Sequence, residues 1–242
     1  MSSGATRLPS GVLPYGQVFA SGSVPLGMLT RDNFAGAHGE GTPNFAPTLV
    51  PISQQEFADR REAVGAGMEA AGLDALCVFY PARIAYLTGF HHIPTERPIV
   101  LILGSKGDAR LVVPAVEKEH AESTATTSKV DVYFEYPGAE HPMERVASEL
   151  VELGAKPKRT GADHDGFVPY WGYRGPRLSD LIGERPVDAE MLIESLRRVK
   201  SAAEISCIQL SSDWAVRAHR RMQAEIQVGK TEREGYWATA SG

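Results

Sequence analysis

Helical segments alternate with short, fully apolar runs along the middle of this chain, and one pair of runs is joined by a tight turn. That pattern constrains the fold more than any other feature. Ala75 to Phe79 is an apolar run fit for a buried strand. Ile99 to Leu103 and Leu111 to Val113 read as two more strands, with Gly104-Ser105-Lys106-Gly107-Asp108 as a hairpin turn between them. Val130 to Phe134 alternates like a strand, and Thr160 to Ala162 is short enough to be one. The helices between carry their own punctuation. Ser53-Gln54-Gln55-Glu56 is a capping box, after which Phe57, Val64 and Met68 share a face until Gly72. Pro81 opens a short helix around Ile84 and Leu87, and Pro114 opens another. Pro142 sits at the first position of a helix with Met143, Val146, Leu150 and Leu153, closed by Gly154. Pro176 to Ile182 is a short helix, and Pro186 to Asp188 leads into one carrying Met191, Leu192 and Leu196. Crossover helices combined with a hairpin predict an α/β domain with a mixed sheet, from about Ser53 to Asp188.

Residues 1–52 read differently. They hold 14 glycines and prolines and four charged residues, with no period of 2 or 3.6. Val12, Leu13, Tyr15, Val18, Phe19, Leu26, Met28 and Leu29 make the stretch too apolar for a purely solvated tail, so an extended arm is expected. At the other end, Ser201-Ala202-Ala203-Glu204 is a capping box. A helix follows, with Ile205, Ile208, Ala215, Met222 and Ile226 on one stripe and Gly229 as its stop. His219 lies near that stripe and is expected to be packed. Thr231-Glu232-Arg233-Glu234 is a second capping box. The stripe needs a partner surface that the following residues scarcely supply, so the sequence is expected to be the front part of a longer protein.

Composition narrows the function classes. The net charge of −5 with no basic face argues against nucleic acid; Arg197, Arg198 and Lys200 read as a solvated helix end. No apolar run approaches the roughly 20 residues of a membrane helix. No secretory signal is evident, and Cys77 and Cys207 read as buried free thiols, so the expected location is cytoplasmic. Gly65-Ala66-Gly67-Met68-Glu69-Ala70 matches the dinucleotide fingerprint in letters only. It lies inside a helix with its strand after it, whereas pyrophosphate binding needs the strand first; close helix packing explains the glycines. Asp163-His164-Asp165 reads as a strand end turning at Asp165-Gly166 with aspartate-capped amides, because neighbouring residues on a strand diverge. His91 and His92 diverge for the same reason. No nucleophile–base pair is assignable from spacing, and the residues alone give an α/β domain without an active site of its own.

Three segments add a resemblance. Tyr86-Leu87-Thr88-Gly89-Phe90 follows the unit ending in Gly72-Leu73-Asp74-Ala75-Leu76; Arg197-Arg198-Val199-Lys200-Ser201 with Glu204-Ile205 precedes the long helix; Gly229-Lys230-Thr231-Glu232 ends it. In this order they resemble the creatinase/prolidase/aminopeptidase P family of pita-bread metallohydrolases. The resemblance implies a ribonuclease H-like creatinase N-terminal α/β domain over 53–188, then a linker helix and the first helices of an incomplete pita-bread domain over 189–242. It implies that Gly89 allows a sharp turn after the short helix and that Tyr86 and Leu87 pack that helix on the sheet. Family enzymes hold two divalent metals (Mn, Co, Zn or Fe) with two aspartates, a histidine and two glutamates downstream of the G-x-T-E segment. None of these maps onto this sequence, so no catalytic residue or metal ligand is assigned within it. One feature of creatinase-like members does map: an arginine eight residues past the glycine of the Y-x-x-G segment, which helps hold a substrate carboxylate across a dimer. Arg97 occupies that place, a role suited to guanidinium, and His91 and His92 share its loop. The implied protein is a homodimeric exopeptidase resembling Xaa-Pro aminopeptidase or prolidase, acting on a small peptide or small amide. This segment would serve dimerisation and active-site restriction. Two alternatives are a non-enzymatic pita-bread binding module and a creatinase-like or lyase-type relative.

Overall fold

The computed structural model describes residues 50–105, 107–134, 140–167 and 172–240, so the expected arm lies outside the described residues except for its last three. The described residues fall into two compact units, one spanning 53–199 and one containing 50–52 with 200–240.

The larger unit holds a mixed sheet, as the alternation predicted, with six strands: the lead-in to the last helix, Val187–Asp188, pairs as an edge strand beyond the five expected. Its strands are β1 (Ala75–Val78), β2 (Val100–Gly104), β3 (Ala109–Pro114), β4 (Lys129–Tyr133), β5 (Thr160–Ala162) and β6 (Val187–Asp188), in the order β4-β3-β2-β1-β5-β6. β2 runs antiparallel to both β1 and β3, while β3–β4, β1–β5 and β5–β6 are parallel. The hairpin accounts for the β2–β3 pair, the Pro81–Thr88 helix and its loop return the chain for the antiparallel β1–β2 pair, and helical crossovers supply the parallel ones. The helices of this unit are α1 (Gln54–Ala70), α2 (Pro81–Thr88), α3 (Lys118–Thr124), α4 (Pro142–Glu152), α5 (Leu178–Ile182) and α6 (Glu190–Arg198).

Alternation along each strand divides the core between two faces. Leu76, Val78, Leu101, Leu103, Leu111 and Val113 pack with Val64 and Met68 of α1, Ile84 and Leu87 of α2, Ala121 of α3 and Ile193 of α6. Ala75, Cys77, Val100, Ile102 and Val112 pack with Met143, Val146 and Leu150 of α4 and Leu178 of α5. Apolar residues at successive positions are therefore what a sheet covered on both faces requires.

Details depart from the sequence expectations for identifiable reasons. Ser53 Oγ accepts from Glu56 N–H, and the Glu56 carboxylate is engaged by Arg60. The N-cap before Pro142 is His141, whose Nδ1 accepts from Met143 N–H while Glu144 accepts from the His141 N–H. α6 buries Ile193 and leaves Met191 half exposed. Gly67 meets Leu192 closely: a Cβ there would lie 2.9 Å from Leu192 Cδ2. The fingerprint-like glycine is thus a contact point between α1 and α6. Cys77 is a buried free thiol, as expected, but Cys207 is half-buried. Burial, with the Asp163 charge, pushes the Cys77 thiol up out of its reactive range.

Two ion networks tie the helices to the sheet. Arg83 of α2 is almost fully buried and binds Asp163 at 3.0 Å, Glu194 at 2.8 Å, and Glu190. Asp163 also accepts from the N–H groups of Phe79 (2.8 Å) and Tyr80 (3.2 Å). On the other face, fully buried Glu149 of α4 binds Arg110 of β3 at 2.8 Å and Lys129 of β4 at 2.6 Å, while Arg145 forks onto Asp131. In the smaller unit both C-terminal capping boxes form, at Ser201/Glu204 and Thr231/Glu234. They start α7 (Ala202–Glu225) and α8 (Glu232–Ala240). α7 stops at Glu225, and Gly229, at φ +94°, belongs to the turn rather than to the helix end. His219 is exposed, not packed, and Ile205, Ile208, Met222 and Ile226 are exposed with it. Val50 N–H donates to Ser206 Oγ on α7 at 3.0 Å. Among the described residues no helix is long and apolar enough to cross a membrane.

Removing one member of a buried ion cluster leaves the others without a counter-charge, so Arg83→Leu is expected to cost about 3–5 kcal/mol. Urea unfolding checks this, and the Arg83→Leu/Asp163→Leu double variant should recover part of the loss. A single variant within 1 kcal/mol of the parent would show that the cluster is dispensable.

Candidate functional site

The loop that carries all three residues expected to bind substrate begins where α2 ends. Proline at the first turn and glycine after the last set the limits of that helix, with Gly89 at φ +79°. A Cβ at Gly89 would lie 3.1 Å from the Phe57 ring, so both conformation and space select glycine. The final carbonyls of a helix have no partner within it. Here they are taken by donors from elsewhere in the chain. Arg60 donates to Tyr86 O at 2.8 Å, Arg61 to Leu87 O at 2.7 Å, and Thr126 N–H to Thr88 O at 2.9 Å. Two guanidinium groups at the negative end of a helix also suit its dipole. The Arg60 guanidinium lies 4.1 Å from the Tyr86 ring centroid. Leu87 packs into the core as expected, and half-buried Tyr86 packs against the same core and against that guanidinium. Thr88 Oγ1 donates to Ile84 O and accepts from Phe90 N–H, which fixes the first step of the loop.

The far end is fixed as well. Tyr133 Oη donates to Pro98 O at 2.9 Å in a buried site, and Ile99 enters the core. Between these anchors the three residues separate. His91 and Arg97 are exposed. Arg97 Nε is 3.9 Å from the Glu96 carboxylate, and its N–H donates to Thr95 Oγ1. His92 turns inward, stacked on Phe90 with ring centroids 5.4 Å apart, and both ring nitrogens are buried without a hydrogen-bond partner. Burial, aided by His120 and His91 and opposed by Glu117, depresses its pKa to about 4.

Asp163-His164-Asp165 is a structural turn. Asp163 is committed to Arg83 and two backbone amides, and Asp165 accepts from Ser179 N–H (2.9 Å) and Ser179 Oγ (2.8 Å). The His164 ring bonds within the turn, to Gly166 O. Among the described residues no three or more His, Cys, Asp or Glu side chains are arranged to hold a metal ion. Neither aspartate is available to the two-metal chemistry that the resemblance implies. What the sequence reading missed is the arginine set Arg60, Arg61 and Arg83. Arg60 has a local partner in Glu56, but the groups through which the three fix α2 lie 26 to 111 positions away, and no local pattern marks those contacts.

The model of one protein family, the creatinase/prolidase N-terminal domain, matches residues 60–199. The chain belongs to this family. The ectoine hydrolase of Halomonas elongata is 24% identical over 74% of this chain and 47% of its own length. A dipeptidase PepE structure from Mycobacterium ulcerans is 26% identical, with a TM-score of 0.58 over 79% of this chain and 50% of that one. A Xaa-Pro dipeptidase from Bacillus anthracis, at 18% identity, shares the fold with a TM-score of 0.60 over 76% and 49%. The chain spans about half the length of the relatives it matches.

Gly89→Ala is expected to destabilise the family domain by about 1–2 kcal/mol from backbone conformation, with the Phe57 contact adding to it. Thermal unfolding checks this. An unchanged midpoint would mean that the helix end adapts without cost.

Proposed function

We propose that this chain is the N-terminal part of a metal-dependent exopeptidase resembling Xaa-Pro dipeptidases, and that it serves dimer assembly and restriction of the active site to short substrates. The family match over residues 60–199 is the observation that carries this reading. The loop geometry supports it. A segment fixed at Gly89 and Pro98 presents Arg97 to solvent, and a guanidinium in that position would bind the carboxylate of a short substrate in the partner subunit's active site. His91 would line the same approach, while His92 would position the loop from inside. The metals would be held by residues downstream of the Gly229-Lys230-Thr231-Glu232 segment, where the family resemblance puts their ligands. When bound, such ions would activate water and polarise the scissile carbonyl.

The reading is tested first by the coding sequence beyond residue 242, where a spaced Asp, Asp, His, Glu, Glu set is expected; other residues at those positions would remove the peptidase claim. On a polypeptide carrying that set, Arg97→Met should raise KM for a Xaa-Pro dipeptide about 10-fold or more with kcat little changed, because a uniform binding contact is lost. Residues 1–242 alone should neither hydrolyse the dipeptide nor bind Mn2+ stoichiometrically in calorimetry; either result would overturn the assignment. The ectoine hydrolase relative favours a second reading, hydrolysis of a small non-peptide substrate through the same arginine contact. Parallel assays with ectoine and Xaa-Pro dipeptides separate the two.

A further inference from the structure

His92 poses a separate question. A buried polar side chain ordinarily finds a hydrogen-bond partner, and one that does not calls for an explanation. Both ring nitrogens of His92 are buried and unpartnered. The ring stacks on Phe90, which is itself fully buried. Phe90 in turn lies 4.9 Å from the His120 ring of α3, so the packing chain runs from the loop through Phe90 to that helix. The charged and titratable groups around His92 are Glu117, His120 and His91. Only Glu117 could balance a positive imidazole, and its carboxylate is already engaged by His120 Nδ1 at 3.1 Å. His120 and His91 oppose a second positive charge. A neutral ring therefore fits this site and a protonated one does not.

We propose that His92 is a proton-released latch: the neutral ring docks the segment 91–97 against Phe90, and protonation expels the ring and frees the segment that carries Arg97. This holds whatever reaction the longer protein performs. The sign follows from linkage. The docked ring takes a proton only near pH 4, whereas a released one does so near its ordinary 6.5. Between those values the released state binds more protons, so its population grows as pH falls. From pH 7.5 to pH 5 the gain is about 30-fold.

Hydrogen exchange of the Phe90 amide, which is buried and bonded to Thr88 Oγ1 beside the latch, reports the opening. With intrinsic exchange rates corrected, its protection in the 242-residue chain should fall about 30-fold from pH 7.5 to pH 5, while amides of β2 and β3 keep theirs. His92→Phe retains a stacking ring without a titrating group and should abolish the fall. His92→Leu serves the same purpose should the larger ring prevent folding. Constant protection in the parent chain would overturn the latch. So would an equal fall in the His92 variants, or a fall shared with β2 and β3.

Discussion

One buried guanidinium organises the placement of α2. Arg83 meets Asp163 at the end of β5 and Glu190 and Glu194 on α6. Burial alone would lower its proton affinity, but the hydrogen bonds it donates to Glu194 and Asp163 outweigh that and hold it well above the ordinary guanidinium value. Burial works on Asp163 in the opposite sense and pushes it up, while two backbone N–H groups and Arg83 pull it down. The result is a cation that cannot leave without stranding three carboxylates, one of them inside the protein. Because Arg83 lies in the first turn of α2, the cluster fixes where that helix starts relative to the parallel strands.

The other end of α2 is fixed by different means. Arg60 and Arg61 project from α1 onto its last carbonyls, and Thr126 joins them from beyond α3. An eight-residue helix is too short to be stable by its own hydrogen bonds. Here it is clamped by ions at one end and by donors at the other, over a face of Ile84 and Leu87 packed on the sheet. The Glu149 network performs the corresponding task for α4 on the opposite face, joining it to β3 and to the edge strand β4. The sheet is covered on both sides, and each cover is locked by a buried carboxylate whose charge is balanced by arginine or lysine.

This division explains what could be read in advance. Strands, hairpin and helix starts were legible because each is marked by neighbours in sequence: apolar runs, Pro81 and Pro142, the Ser201/Glu204 and Thr231/Glu234 boxes. The packing role of Gly67 in α1 was legible too, because a fingerprint without its preceding strand has no phosphate to hold, and the contact of Gly67 with Leu192 is the outcome; Gly65, with nothing near its Cβ position, has no such role. The clamps were not legible. Arg83 and Glu194 are 111 positions apart, and Glu149 and Arg110 are 39 apart. In sequence, such residues look like any solvated charge. His92 was obscure for the converse reason. A histidine beside another histidine in a polar loop suggests exposure, and only the packed Phe90 ring shows that it turns inward.

The same contrast bears on the loop's use. Functional side chains commonly sit on loops held by a rigid scaffold, because the scaffold supplies position and the loop supplies reach. Between Gly89 and Pro98 the backbone is anchored at both ends by buried hydrogen bonds, at Phe90 N–H and at Pro98 O. Within it the His92 ring turns inward onto buried Phe90, and its two nitrogens make no hydrogen bond. Stacking between rings contributes on the order of 1 kcal/mol, far less than the ion clusters that hold α2. A strong frame joined to a weakly held middle lets the segment bearing Arg97 change position without disturbing the sheet. The frame itself stays in place because its ions are buried and mutually balanced.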